Sequence, residues 1–352
     1  EREKRCARKV DAERWLDEQT AQHVTGTYVD PKRGKITVGA WADRWLAGKA
    51  NLSASTRNRY AGIVEVHVRP RWGSVRLADV SHDDVQAWIS ERSSAGQAAA
   101  SVVKLHRVLS MILAYAVRSR RLASNPADGV GLPKVGPAEK RYLRAEQVAA
   151  LGAEAGPGRL VVLTLAYCGL RWGELAALKV SRLDLLRRRV HVAENVVEVD
   201  GGRLDWKLPK SHERRWVPLP RFLVDDLAEQ VAGKAPDDLV FTSPKGAVLR
   251  VGNARRGWLD RAVQRSGAPD GFHPHELRHT AASLAVSAGA NVKAVQRMLG
   301  HAKASMTLDV YTDLFDDDLE AVADRLDEIH GRAGKMRASG GVVDLGERRA
   351  SG

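Results

Sequence analysis

Along the first 130 residues apolar positions recur at helical spacing, and short polar caps mark where two of the runs begin. Residues 1–20, with Trp15 and Leu16 among charges, read as a helix closed by Gly26 and the Asp30-Pro31 breaker. Four helices are expected between 37 and 130. One begins near Val38, and one follows the Ser53 to Thr56 cap signal and carries Arg57, Arg59 and Tyr60. A third is opened by Ser81, with Asp83 and Asp84 in its first turn, where the helix dipole favours acids. The fourth runs from Ala98 to Arg118. In it Val102, Leu105, Val108, Leu109, Ile112, Leu113, Ala116 and Val117 keep the 3.6-residue period, so one face needs a core.

Asn125-Pro126 ends this block, and the Gly- and Pro-rich stretch from Gly129 to Pro137 reads as a linker. A new helical run begins at Leu143. From Val190 to Leu219 the period changes to two, in VHVAENVVEV, the Asp200-Gly201-Gly202 turn, RLDWKL and RRWVPL, which predicts one small antiparallel sheet of hairpins. Helices resume at Phe222–Val231, Ala254–Arg265, Pro274–Ala288, Val292–Leu299 and Asp317–Ile329, and the last 22 residues read as a disordered tail. The fold class is therefore mainly α with a small antiparallel sheet (α+β). The expected parts are 1–36, a helical domain over 37–130, a linker over 131–141, a larger domain over 142–330 and the tail over 331–352.

Composition narrows the partner. In 352 residues the formal charge is +13, which makes a polyanion the default partner, nucleic acid ahead of anionic membrane. Residues 37–135 hold 14 basic and 7 acidic side chains, whereas Asp313 to Glu328 holds eight acids against Arg325 alone. A basic domain, a second basic domain and an acidic closing helix are thus separable. Two cysteines, Cys6 and Cys168, make no disulfide framework, and the charged N-terminus shows no signal peptide, so a cytosolic protein is expected. The longest largely apolar run, Leu160 to Leu170, is about half of what a membrane span needs. The chain starts at Glu1 rather than Met, so part of the upstream end is expected to be missing.

Several short motifs carry chemistry. His275-Glu276-Leu277-Arg278-His279 satisfies the H-E-x-x-H zinc pattern, with both His on one face and Glu276 as general base. Arg278 beside the metal, Pro274 in the first turn and the lack of a third ligand oppose it. The same residues suit phosphate better, because His275 and Arg278 are three apart and share a helix face. Arg171 follows Gly169 at a helix start, with Glu174 three residues on to orient it. Lys210 lies in a turn between strands, beside Lys207, Arg214 and Arg215. Leu299-Gly300-His301 is a helix end closed by glycine, and Tyr311 follows ten residues later. Singly, each is more often a solvated face, a routine ion pair or a core residue.

In order, Arg171, Lys210, His275-x-x-Arg278, His301 and Tyr311 resemble the tyrosine recombinase (phage integrase) family, carried by GLRWGEL, PKSHERRWVPL, HELRHT and LGHAKASMTLDVY. LSASTRNRYAGIVEVHVRPRWG, VQAWISE and VVKLHRVLSMILAYAV are similar to its SAM-like core-binding domain. Residues 1–30, with DAERWLDEQ and GTYVDP, are similar to the end of an arm-type DNA-binding domain whose sheet part is absent. The resemblance implies strand exchange through a 3′-phosphotyrosine on Tyr311, with no metal and no other cofactor. It implies that Arg171 and Arg278 hold the non-bridging oxygens, His301 adds a hydrogen bond, Lys210 protonates the leaving 5′-oxygen and His275 takes the tyrosine proton. Glu174 and His279 stand behind them. Implied DNA contacts are Arg57, Arg59, Arg69, Arg71, Lys104, Arg107, Arg118, Arg120 and Arg121, on two basic domains closing as a clamp. Implied partners are double-stranded attachment sites, a homotetramer joined through the 316–330 helix and a DNA-bending accessory protein. A phage or integrative-element integrase is expected, working in the bacterial cytoplasm at the nucleoid. Its rivals are a chromosome-dimer resolvase, a non-catalytic DNA-binding regulator and the zinc peptidase.

Overall fold

A computed structural model describes residues 8–24, 33–136, 141–208 and 214–303, together with positions 305, 307, 326, 327 and 330. The expected helix over 317–329, almost all of it, and the whole tail over 331–352 lie outside the described residues. Two compact units emerge, Glu1–Ala138 with Glu198–Asp205, and Glu139–Val197 with Trp206–Gly352.

In the first unit α1 (Lys9–Val24) leaves Val10 and Leu16 exposed. The helices α2 (Val38–Ala47), α3 (Ala54–Ile63), α4 (Arg69–Trp72), α5 (His82–Ser94) and α6 (Ala99–Arg118) follow. The starts of α2, α3 and α5 carry side-chain caps. The Ser53 and Ser81 hydroxyls accept from the Thr56 and Asp84 amides at 3.4 and 3.1 Å, satisfying donors that a helix start leaves unpaired. Between α3 and α4 the chain continues through a π-turn, Val64–Val68. The sequence pattern carries no expectation for this stretch. Its Val64, Val68 and Trp72 are buried, so the extra residue keeps an apolar face aligned across Pro70.

The core of this unit is rich in tryptophan. Trp41, Trp45, Trp72 and Trp88 pack around Leu109, Ile112 and Leu113 of α6, with Trp72 and Trp88 edge to face at 6.0 Å. The expected α6 face is buried except for Val117, which is half-buried. Among the described helices α6 alone is long and apolar enough to cross a membrane, a length the shorter 160–170 run had not suggested. Here its apolar face is core. Gly131, in the Gly- and Pro-rich stretch, is held on both sides by Gln86: its N–H donates to Oε1 at 2.7 Å and its carbonyl accepts from Nε2 at 3.2 Å.

From Glu139 onward, in chain order, come α7 (Ala145–Glu154), α8 (Arg159–Cys168), α9 (Trp172–Ala176), β1 (Leu183–Asp184), β2 (Arg189–Val192), β3 (Asn195–Val199), β4 (Arg203–Lys207) and β5 (Arg215–Pro218), with Glu198–Asp205 of the β3–β4 hairpin belonging to the first unit and the rest to the second. After these come α10 (Val224–Val231), α11 (Val251–Ala254), α12 (Asp260–Arg265), α13 (Glu276–Ser287) and α14 (Val292–Leu299). The apolar α8 lies at the centre of the second unit, packed between α7 and α13. Cys168 at its end is buried, and the apolar surroundings push its thiol up to about 12, so it is an inert packing group.

The strands differ from the single sheet expected. The order β1-β2-β5 makes one antiparallel sheet, with Val190 opposite Val217 and His191 opposite Trp216, and among the described residues β3 pairs with β4 alone. VHVAENVVEV therefore breaks at Ala193-Glu194. Glu194 turns toward Lys179 (3.8 Å) and Arg182 (4.0 Å), and Asn195 is buried beside α9. Helix α13 starts at Glu276 rather than Pro274, with His275 as its cap residue.

Gly173 explains how α9 comes so close to β3. A Cβ there would collide with Asn195 Oδ1 and with the Val196 carbonyl oxygen, which is backbone and cannot swing away. Gly173→Ala should lower stability by about 1–3 kcal/mol, the usual cost of overpacking, measured as the shift of the urea unfolding midpoint. An unchanged midpoint would show that α9 does not need this approach.

Candidate active site

Two left-handed glycines end the helices that frame the site. Helix α8 stops at Gly169 (φ 63°), and α14 stops at Gly300 (φ 65°), a conformation that costs other residues strain. A Cβ on Gly169 would sit 2.8 Å from Leu299 Cδ2, so the two helix ends meet only because glycine stands there. Arg278, buried in α13, ties them together. It donates from Nη1 to the Gly169 carbonyl at 2.5 Å and from Nη2 to the Leu299 carbonyl. Both acceptors lie at helix C-termini, where carbonyls lack intrahelical partners and the dipole favours a cation.

Past Gly169 the chain is extended at Arg171, and α9 begins. Glu174, fully buried, turns back on that start. It accepts from the Arg171 N–H at 2.9 Å and from Arg171 Nη1 at 2.7 Å. Two more hydrogen bonds come from Arg215 on β5, Nη1 to Oε1 at 3.0 Å and Nη2 to Oε2 at 2.7 Å. Burial alone would raise this carboxyl. The Arg215 hydrogen bonds, with the charges of Arg215, Arg171 and Arg278, outweigh it and hold Glu174 at about 2.

Past Gly300, His301 is half-buried. Its Nδ1 lies 3.0 Å from the Thr307 hydroxyl, and its carbonyl accepts from Gln296 Nε2 at 3.0 Å. His275 caps α13, with its ring 5.3 Å from that of His279, edge to face. Burial, then the charges of Arg278 and Arg171 among others, push His301 down to about 4. Burial, then His279, Arg278, His273 and Arg171, push His275 to the same value. Both are neutral at pH 7. His275 is solvent-exposed by area, so His301 carries more of any consequence for stability.

Arg171, Glu174, His275, Arg278, His279 and His301 thus come together around one pair of arginines. Lys210 and Tyr311 lie outside the described residues. The Glu276 carboxylate is buried and accepts from the His273 N–H at 2.6 Å, an internal engagement that counts against its serving as a zinc peptidase's base. Among the described residues no group of three or more His, Cys, Asp or Glu could hold a metal.

Of the residues expected to meet DNA, Arg57 and Arg59 on α3, Arg71, and Lys104, Arg107 and Arg118 on α6 are exposed, as is Arg120 just beyond it. Arg121 has its guanidinium 4.8 Å from the Trp41 ring, and Arg71 lies 5.0 Å from Trp72. Arg69 is engaged within the unit, by Glu65 at 2.8 Å and Asp43 at 2.7 Å.

Arg215 and Thr307 were not singled out from sequence. For Arg215 the available signal was strand alternation, since Val217 two residues on is core and shares its face. Nothing in the sequence marked Thr307.

These pKa displacements predict acid sensitivity. His301 and His275 have folded values below the ordinary 6.5, so the unfolded chain binds more protons and stability falls as pH drops from about 6.5 toward 4. Glu174, also displaced downward, adds stability present above about 4.5 that is lost toward 2. Chemical denaturation between pH 7.5 and 5 should show this decline, and His301→Asn should flatten it. An equal decline in that variant would remove His301 as its source.

The phage integrase family matches residues 141–317, and the phage integrase central domain matches residues 38–131. The tyrosine recombinase XerC of Mycobacterium bovis (strain BCG / Pasteur 1173P2) is 30% identical over 313 residues, covering 83% of this chain and 96% of its own length. The XerC of Mycobacterium tuberculosis (strain ATCC 25177 / H37Ra) matches equally. Among solved structures the fold is similar to a Tn1549 transposon integrase in complex with transposon right end DNA, with a TM-score of 0.70 at 20% identity over 82% of this chain and all of that one. It is also similar to a lambda integrase dimer bound to a core site, with a TM-score of 0.60 at 20% identity over 79% and 78% of the two chains. The central-domain and catalytic matches, with the 30% identity across nearly a whole XerC, mean that this chain belongs to the phage integrase family and is a tyrosine recombinase, an enzyme that cleaves and rejoins DNA.

Proposed function

We propose that the chain is a phage or integrative-element integrase, and that six residues carry its reaction. Tyr311 attacks a scissile phosphodiester, forming a 3′-phosphotyrosine and releasing a 5′-hydroxyl. A 5′-hydroxyl from the partner duplex then attacks that ester, so the bond energy is conserved through a covalent intermediate. Arg171 and Arg278 hold the non-bridging oxygens and offset charge in the transition state, and His301 adds a hydrogen bond. Removing one such donor typically costs about 10²–10³ in rate. Lys210 gives its proton to the leaving 5′-oxygen, and His275 accepts the tyrosine proton, a role that requires a neutral imidazole. Glu174 orients Arg171, and His279 supports His275. The observation that carries this reading is Arg278 bonded to the Gly169 and Leu299 carbonyls, the two glycine-ended helix termini from which the chain runs on to Arg171 and His301.

The remaining assignments follow from charge and sequence. Residues 1–36 act as the end of an arm-type domain, 37–130 as the core-binding domain joined by 131–141, and 142–330 as the catalytic domain before a tail. Arg57, Arg59, Arg71, Lys104, Arg107, Arg118, Arg120 and Arg121 supply contacts to attachment-site DNA. Arg69, already paired twice, contributes least. Four copies assemble through the acidic 316–330 segment, which DNA would repel, with a DNA-bending protein as accessory, in the cytoplasm at the nucleoid. A second reading, chromosome-dimer resolution, is favoured by the 30% identity to XerC over nearly its whole length.

The test is covalent capture. Nicked duplexes drawn from a random-sequence pool are incubated with the protein in EDTA, and SDS-stable protein–DNA adducts are recovered and amplified. An adduct formed by the wild type and lost in Tyr311→Phe is expected. Adducts that form only when EDTA is left out would overturn the mechanism.

A further inference from the structure

Glu174 is clamped by two arginines, and only Arg171 belongs to the proposed reaction. We infer that Arg215 is a positioning residue for DNA cleavage, fixing Arg171 through Glu174 and, by a separate hydrogen bond, fixing the chain that leads into His301. This rests on the reading of Arg171 and His301 as phosphate-holding groups.

The geometry uses the whole guanidinium. Nη1 and Nη2 meet the two Glu174 oxygens at 3.0 and 2.7 Å, the fork-on-fork arrangement that fixes direction as well as distance. The third edge, Nε, donates to the Met298 carbonyl at 2.9 Å, three residues before His301. Gly300 lies against the same side chain, where a Cβ would sit 2.9 Å from Arg215 Cδ and 3.0 Å from Nε. One planar group therefore joins β5, α9 and the end of α14. Only 8% of the Arg215 side chain is exposed, and it shares the core-facing side of β5 with Val217, so its function is internal.

Arg171 keeps Glu174 in place without Arg215 only through one guanidinium edge and one backbone N–H. The carboxylate would then be free to rotate, taking the Arg171 fork with it, while the segment before His301 loses its anchor. Lysine cannot substitute, because an ammonium is a point charge without a fork.

The experiment uses the duplex captured by the wild-type protein, in single-turnover cleavage. Arg215→Met should cleave about 100-fold more slowly, the scale expected for a displaced catalytic group. Its affinity for the duplex, read by fluorescence anisotropy, should stay at the wild-type value. Arg215→Lys should recover little. The decisive readout is a duplex with a methylphosphonate at the scissile position, which carries one negative charge fewer and so asks less of the oxygen-holding arginines. On it the Arg215→Met deficit should shrink, in parallel with that of Arg171→Lys.

A wild-type rate in Arg215→Met would overturn the inference. So would an equal deficit on both substrates when Arg171→Lys is relieved, since that marks a general structural defect. If Arg215→Met fails to fold by circular dichroism, Arg215→Lys, which keeps the charge, decides by the same comparison. Failure of the wild type to capture any duplex from the pool would overturn the underlying reading, a result distinct from any produced by the variants.

Discussion

A carboxylate withdrawn from water costs several kcal/mol unless its oxygens are taken up by donors and an opposite charge stands beside it. Glu174 is in that position, with no side-chain exposure and four hydrogen bonds from Arg171 and Arg215. Removing either partner leaves a buried charge undercompensated, so the arrangement resists piecemeal change. Three elements near the proposed phosphate site lean on it: the start of α9, the inner side of β5 and, through Arg215, the end of α14. The collision that any side chain at Gly173 would make is part of the same constraint, since α9 must lie against β3 for the carboxylate to point inward.

The helices were legible because their information is local. Ser53 and Ser81 announce their helix starts, and the α6 period names its own buried face. The strands were less legible. VHVAENVVEV alternates well enough for one long strand, yet Glu194 is drawn to Lys179 and Arg182, which are distant in sequence, and the pairing partner changes there. The π-turn at Val64–Val68 was unreadable for a related reason: a helix continuing past Pro70 depends on buried contacts of Val68 and Trp72 that no local rule supplies.

At the site, residue types and order were visible, and the clustering of Arg171, His275, Arg278 and His301 follows them. What could not be read was who holds whom. Arg215 looked like one base in a basic turn, and only its place on the core-facing side of β5 distinguishes it from Arg214. Arg69 carries the opposite lesson. Its sequence context suits a phosphate contact, but Glu65 one turn back and Asp43 on α2 already occupy it.

Arg278 has a further consequence through its freedom of motion. A solvent-exposed arginine holds about 2 kcal/mol of rotamer entropy that must be lost when it grips an anion. In this chain two nitrogens of Arg278 are fastened to the carbonyls of Gly169 and Leu299, so that disorder is already gone in the folded protein. A phosphate held there as proposed would meet a plane whose orientation was set by folding. For a phosphate held as proposed, discrimination then rests on how well its oxygens fit that fixed plane rather than on charge alone.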